Sequence, residues 1–202
     1  MSLRAAAADC LLERETDEAL VVLARNGDFG AFEKLFERHR TLVYRFVYQM
    51  LARRDDAEDV VQEVFVRAYQ NLGRYRDEAK FTTWLLRIAS NLSTDRVRMH
   101  HRRQNLEQQE ASGALVWMTQ GETDDPVENL EQDRRRDALR KALQALPVHH
   151  RQMIVLRDIE EREYEEIGSI VGCSVGGAKL RVLRARRALK DRMLPLLGEE
   201  SQ

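Results

Sequence analysis

Between Thr16 and Leu72, and again from Leu143 to Leu189, apolar residues return every three or four positions. Nowhere does the chain hold the strict alternation of a half-buried strand. That periodicity demands helices with one buried stripe, and 3 Pro among 202 residues leave few points where a helix must break. The chain therefore reads as all-α. Thr16 is placed to cap a helix that stops at Gly27, and Asp28 to cap a second that runs to about Leu51. The second buries Phe32, Leu35, Phe36, Val43, Phe46, Val47 and Met50. Asp55 followed by Glu58 predicts a capping box for a third helix, which buries Ala57, Val60, Val61, Val64, Phe65, Ala68 and Leu72 and ends near Gly73. A fourth begins near Phe81 and buries Phe81, Trp84, Leu85, Ile88, Ala89 and Leu92. Four such stripes can close one small bundle over residues 16–103, preceded by a loose extension, 1–15.

The pattern then lapses. Residues 104–133 hold eight acids and no Lys or Arg, with Gly113, Gly121 and Pro126 among them, and read as a flexible acidic linker. A smaller unit follows over 134–195, with a short tail at 196–202. One helix stops before Pro147, which suits the first turn of a helix running to about Glu160. A short helix spans Tyr164 to Val171 and ends at Gly172. Ser174 caps a long last helix whose inner face carries Val175, Ala178, Val182, Ala185 and Leu189.

Short helix, tight turn and capped second helix make a helix-turn-helix. Its second helix turns Gly177, Leu180, Arg181 and Arg184 outward. From Lys179 to Arg192 there are seven bases against Asp191 alone. The net charge of −1 conceals this segregation. Such a helix suits a DNA major groove, with Leu180, Arg181 and Arg184 at base edges and Lys179, Arg186 and Arg187 at phosphates. The expected DNA set is thus Ser174, Gly177, Lys179, Leu180, Arg181, Arg184, Arg186 and Arg187.

A second surface lies on the Phe81 helix. Arg87, Asn91, Thr94, Asp95 and Arg98 share its outer face, and Tyr75, Arg76, Lys80, Phe81 and Trp84 surround its start. Aromatics among bases suit unpaired DNA, where rings stack on bases and cations meet phosphates. A third surface is the polar face of the Asp55 helix: Asp55, Asp56, Asp59, Gln62, Glu63 and Val66. Alone, it also fits a merely solvated face. The adjacent pairs His100-His101 and His149-His150 point apart on a helix, and Cys10 and Cys173 form no CxxC, so no metal, cofactor or catalytic role is expected. The absence of a membrane-spanning run or signal peptide predicts a cytoplasmic protein.

The ordered set resembles the extracytoplasmic-function sigma factors of the sigma-70 family. Asp56-Ala-Glu-Asp-Val-Val-Gln-Glu-Val-Phe-Val-Arg-Ala-Tyr is similar to the helix of region 2 that, in the family, docks on the clamp helices of the RNA polymerase β′ subunit. Phe81-Thr-Thr-Trp-Leu-Leu-Arg-Ile-Ala-Ser-Asn resembles the part that opens and reads the −10 element. Leu146-Pro147, Arg157-Asp158 and Tyr164-Glu-Glu-Ile-Gly resemble region 4, which reads the −35 element. The resemblance implies partnership with polymerase core through β′ and β, with promoter DNA and with an anti-sigma factor, and no enzymatic activity. Gly177, Leu180 and Leu183 depart from the Thr, Ser and His that many relatives carry. The competing readings are a LuxR-like regulator that needs no polymerase docking, and a helical adaptor whose basic helix binds an acidic protein.

Overall fold

The computed structural model describes residues 16–76, 79–110 and 130–198. Every regular element among them is helical: α1 (Asp17–Arg25), α2 (Phe29–Leu51), α3 (Arg54–Asn71), α4 (Phe81–Glu110), α5 (Leu130–Gln144), α6 (Val148–Ile154), α7 (Tyr164–Val171) and α8 (Val175–Gly198). A 3₁₀ turn, Leu72–Arg74, follows α3, and a π-helical stretch, Val155–Ile159, continues α6. The predicted extension 1–15, most of the predicted linker and the end of the tail lie outside the described residues. Helix α4 runs to Glu110 and α5 starts at Leu130, so helix enters both ends of the segment expected to be linker.

Local chemistry sets most boundaries. Ala19 N–H donates to Thr16 Oγ1 at 3.3 Å and Ala31 N–H to Asp28 Oδ1 at 3.1 Å, which caps α1 and α2 as expected. The capping box at Asp55 does not form. Helix α3 starts earlier, with Arg53 at its N-cap and no side-chain cap bond. Asp56 is held elsewhere: Arg53 lies 3.0 Å from it, Arg96 3.2 Å and His100 3.2 Å. Pro147 sits just outside α6, at the N-cap with extended ψ.

The helix-turn-helix depends on two glycines. Gly172 takes φ +69°, the left-handed region that ends α7. Gly168 lies under the turn, where a Cβ would come within 2.7 Å of the Cys173 carbonyl oxygen. Gly177 N–H donates to Ser174 Oγ at 3.2 Å, which caps α8.

The two halves share one apolar core, which runs from Leu20 and Phe46 through Leu85 and Leu86 to Val155, Leu156 and Ile167. Polar contacts reinforce the join. Arg45 on α2 donates to both oxygens of Glu160 at 2.7 and 2.5 Å, and the Glu160 side chain is fully buried. Glu160 stands where the π turn closes, with its N–H on the Val155 carbonyl. Gln144 Nε2 donates to Gln49 O, Gln152 to Ser90 Oγ, and Lys80 Nζ lies 3.5 Å from Glu166. Arg151 is buried at the α5–α6 corner. It donates to the carbonyls of Leu143, Gln144 and Leu146, to Gln144 Oε1, and across the join to Met50 O. Burial pushes its pKa down to about 10, so it stays charged at neutral pH.

Two outcomes are expected. Arg151→Met keeps bulk but removes the side-chain donor from four carbonyls; that of Leu143 keeps the Leu146 N–H, and each of the other three costs about 1–3 kcal/mol when buried and unpaired. Stability in urea should fall by about 3 kcal/mol or more; an unchanged midpoint would show the carbonyls are otherwise served. Gly168→Ala should cost about 1–3 kcal/mol through the clash with Cys173. Gly176→Ala, where a Cβ meets nothing, should leave the thermal midpoint level or higher.

Candidate nucleic-acid interface

Helix α8 is held by its inner face. Ala178, Val182 and Ala185 are buried against α6 and α7, which sets the rotation of everything else on the helix. Arg181, Arg184 and Arg187 are exposed, as are Leu180 and Leu183. An apolar pair facing water beside arginines is unusual for a solvated face and suits contact with base methyl groups. Ser174 Oγ accepts the capping bond from Gly177 N–H and Gly177 has no side chain, so of the two only the exposed Ser174 hydroxyl has a proton to donate to a ligand.

Two further members of the predicted set have partners that the sequence did not reveal. Arg186 donates to both oxygens of Asp158, and Asp158 holds its pKa above the ordinary arginine value. This pair ties the middle of α8 to the end of the π stretch. Lys179 Nζ lies 5.6 Å from the centroid of the Tyr164 ring, and the Arg157 guanidinium lies 4.6 Å from the same ring. Arg157 and Asp158, neighbours in sequence, thus serve different partners. Tyr164 and Arg157 were absent from the predicted set, because a ring shared by two cations is visible only once three elements are folded together.

The predicted surface on α4 divides in two. Arg87, Asn91, Asp95 and Arg98 are exposed along one face and Thr94 is half-buried beside them; Arg98 Nη1 lies 3.8 Å from Asp95. Arg76 and Lys80 are exposed near its start. Tyr75, expected beside the DNA, is instead a core residue, 3% exposed; Phe81 is 1% exposed, which agrees with its place in the buried stripe and takes it out of the DNA-facing set. The cause is mutual packing: Tyr75, Phe81 and Trp84 hold their ring centroids 5.3–5.7 Å apart, and His39 lies 5.5 Å from Phe81. Tyr75 Oη donates to Ala79 O at 2.8 Å, and Arg25 donates to the Tyr75 and Leu72 carbonyls. Of the three rings only that of Trp84 is partly open to solvent. His39, paired with Asp17 at 2.8 Å, has its pKa lowered by burial, against the pull of Asp17.

On α3, Asp55, Asp59, Gln62 and Val66 are exposed in a stripe at four- and three-residue spacing. Glu63 is partly exposed and pairs with Arg67 one turn on. Asp56 departs from the expectation: its side chain is 13% exposed and anchors α3 to α4 through Arg96 and His100. A shallow groove beside the stripe is lined by Phe36, Arg40, Tyr44, Val61 and Gln62. Among the described residues no cluster of His, Cys, Asp and Glu could hold a metal ion, Cys173 is a half-buried free thiol, and no helix is long and apolar enough to cross a membrane.

Comparison with known proteins identifies the family. Residues 35–103 match the Sigma-70 region 2 family, and residues 136–189 match Sigma-70, region 4. The chain is 31% identical over 196 residues to the RNA polymerase sigma-H factor of Pseudomonas aeruginosa, covering 94% of this chain and all of that one. It is 34% identical over 178 residues to the ECF RNA polymerase sigma factor SigW of Bacillus subtilis, covering 85% and 94%. Against the ECF RNA polymerase sigma-E factor of Escherichia coli the figures are 33% over 193 residues, 92% and 98%. Among solved structures, CnrH in complex with the cytosolic domain of CnrY matches with a TM-score of 0.63 at 26% identity, over 93% of this chain and 100% of that one. The region 2 match over the first half disfavours the reading as a LuxR-like regulator. With both regions present in order and relatives matched nearly end to end, the chain belongs to the extracytoplasmic-function sigma factors of the sigma-70 family and directs promoter-specific transcription with RNA polymerase.

Proposed function

We propose a division of labour among the three exposed faces. The stripe Asp55, Asp59, Gln62, Glu63 and Val66 on α3 docks on the β′ clamp helices of polymerase core, and the β subunit supports the C-terminal half. The face of α4 carrying Arg87, Asn91, Thr94 and Arg98, with Arg76, Lys80 and the open edge of Trp84, holds unpaired bases of the −10 element. Helix α8 reads the −35 element. The observation that carries this reading is that each face stays exposed after its helix has buried a complete apolar stripe. The chain supplies affinity and position; nucleotide transfer belongs to the polymerase. It works in the cytoplasm, where polymerase and promoters are.

The packed arrangement adds a condition. Helix α4 packs on α7 and α7 on α8. Packed helix axes lie about 8–10 Å apart, so where both pack on α7, α4 and α8 lie within about 20 Å of each other. The −10 and −35 elements lie about 85 Å apart along B-form DNA at 3.4 Å per base pair. The halves therefore part when both elements are read, and binding of one raises the effective concentration of the other contact. An anti-sigma factor holds the chain inactive by covering these faces, a reading supported by the relative CnrH, whose structure is of a complex with CnrY.

Docking is tested by reversing charge at Asp59 and Glu63 together. Affinity for purified core should fall at least tenfold, with helicity unchanged and run-off transcription lost in proportion; wild-type affinity would remove α3 from the interface. For the −35 element, Arg184→Ala should flatten one column in a selection from randomised sites and cost about 1–3 kcal/mol there. Arg187→Ala should weaken all sites alike. If Arg184→Ala merely scales every sequence, Arg184 is a phosphate contact and the rotation of α8 in the groove differs from the one given.

A further inference from the structure

Tyr164 stands at the first position of α7, half-buried, with two cations against its ring. They come from different elements, Arg157 from the π stretch and Lys179 from the second turn of α8. Arg157 is further fixed by donating to the Arg162 carbonyl at 2.7 Å. Two like charges repel, so holding both beside one ring needs a reason beyond packing. Of the acids nearby, Asp158 is committed to Arg186, and Glu163 pairs with Arg157 at 3.4 Å from a side chain 67% exposed, where water screens the pair; the two cations together keep a net positive charge. Lys179 is exposed and has no ion pair with any described acid.

The location of the pair points to its ligand. Successive residues turn about 100° round a helix. Lys179 therefore lies about 80–100° from the buried line of Ala178, Val182 and Ala185, at one flank of the sector that holds Leu180 and Arg184. When that sector lies in a major groove, its flank runs along the sugar-phosphate backbone. A ring holding two long cations in place removes the rotamer freedom they would otherwise lose on meeting an anion.

We propose that Tyr164 is a positioning residue that presents Arg157 and Lys179 together to one phosphate of promoter DNA beside the −35 element. The ring acts through its face, with its hydroxyl dispensable. The inference rests on the reading that α8 enters the −35 groove, and adds to it a backbone clamp built from residues before and within the helix-turn-helix.

Phosphate contacts are blind to sequence, so a mixed-sequence duplex of about 30 base pairs is a sufficient probe for the full chain. Each phosphate neutralised contributes about one to the slope of log affinity against log salt. Tyr164→Leu should lower that slope by about one, and adding Lys179→Ala should lower it no further. Tyr164→Phe should restore the wild-type slope. If Tyr164→Leu fails to fold, Arg157→Gln and Lys179→Ala, made at exposed or half-exposed side chains, carry the test: either alone should lower the slope, and the double variant should lower it by about one in total. A wild-type slope in Tyr164→Leu, or Tyr164→Phe behaving like Leu, overturns the positioning role. Strictly additive losses on two separate phosphates overturn the shared site. Arg181→Ala and Arg184→Ala separate this from the underlying reading. If neither they nor Tyr164→Leu changes DNA binding, α8 is not the DNA element. If they do and Tyr164→Leu does not, only the clamp fails.

Discussion

The buried guanidinium of Arg151 is the junction on which both halves of the molecule depend. A charge taken out of water is costly unless its donors are used, and here they meet the corner that α5 and α6 leave open and the end of α2. Helix ends expose carbonyls that have no partner within the helix. At this corner one side chain, carried by α6, serves such ends of two other helices, α5 and α2. The same residue thus closes a turn within the C-terminal half and fastens that half to the N-terminal one. The fully buried Glu160, paired with Arg45, repeats the device at the other end of α6. Apolar burial supplies the bulk of the attraction between the halves, and these polar ties fix their register.

A fastened arrangement suits a protein whose working surfaces are charged and exposed. Acids face outward on α3 and bases on α4 and α8. The near-zero net charge is the sum of opposed faces, which a whole-chain average cannot reveal. Lys80, at the threshold of α4, is met in the packed chain by Glu166 of α7. The N-terminal surface and the helix-turn-helix are therefore in electrostatic contact before any nucleic acid arrives.

What could be read from the sequence was local. Thr16, Asp28 and Ser174 cap helices because a side-chain oxygen reaches an N–H two or three residues ahead, and no distant residue is needed. Gly172 ends α7 for the same kind of reason. The failed box at Asp55 shows where that logic stops: Asp56 is drawn to Arg96 and His100, some forty residues away, and the start of α3 follows its anchor. Tyr75 reads as a stacking platform because residue type cannot say whether an aromatic beside bases faces them or the core; for Phe81 the helical periodicity does say, and places it inside. The π turn at Val155–Ile159 leaves no compositional trace, and neither does the packing of two halves whose contacting residues lie far apart in sequence. The faces of α3 and α8 were legible because a buried stripe determines, by subtraction, what remains outside.

That subtraction is most complete on α8. The residues that hold the helix, Ala178, Val182 and Ala185, and the ion pair that ties it to Asp158, are different residues from those that face outward at Leu180, Arg181 and Arg184. Nothing in the fold constrains the outward set. Over generations those three positions are free to drift while the scaffold stays fixed, so, with α8 reading the promoter as proposed, a duplicated gene can acquire a separate set of targets by surface substitution alone, without passing through an unfolded ancestor.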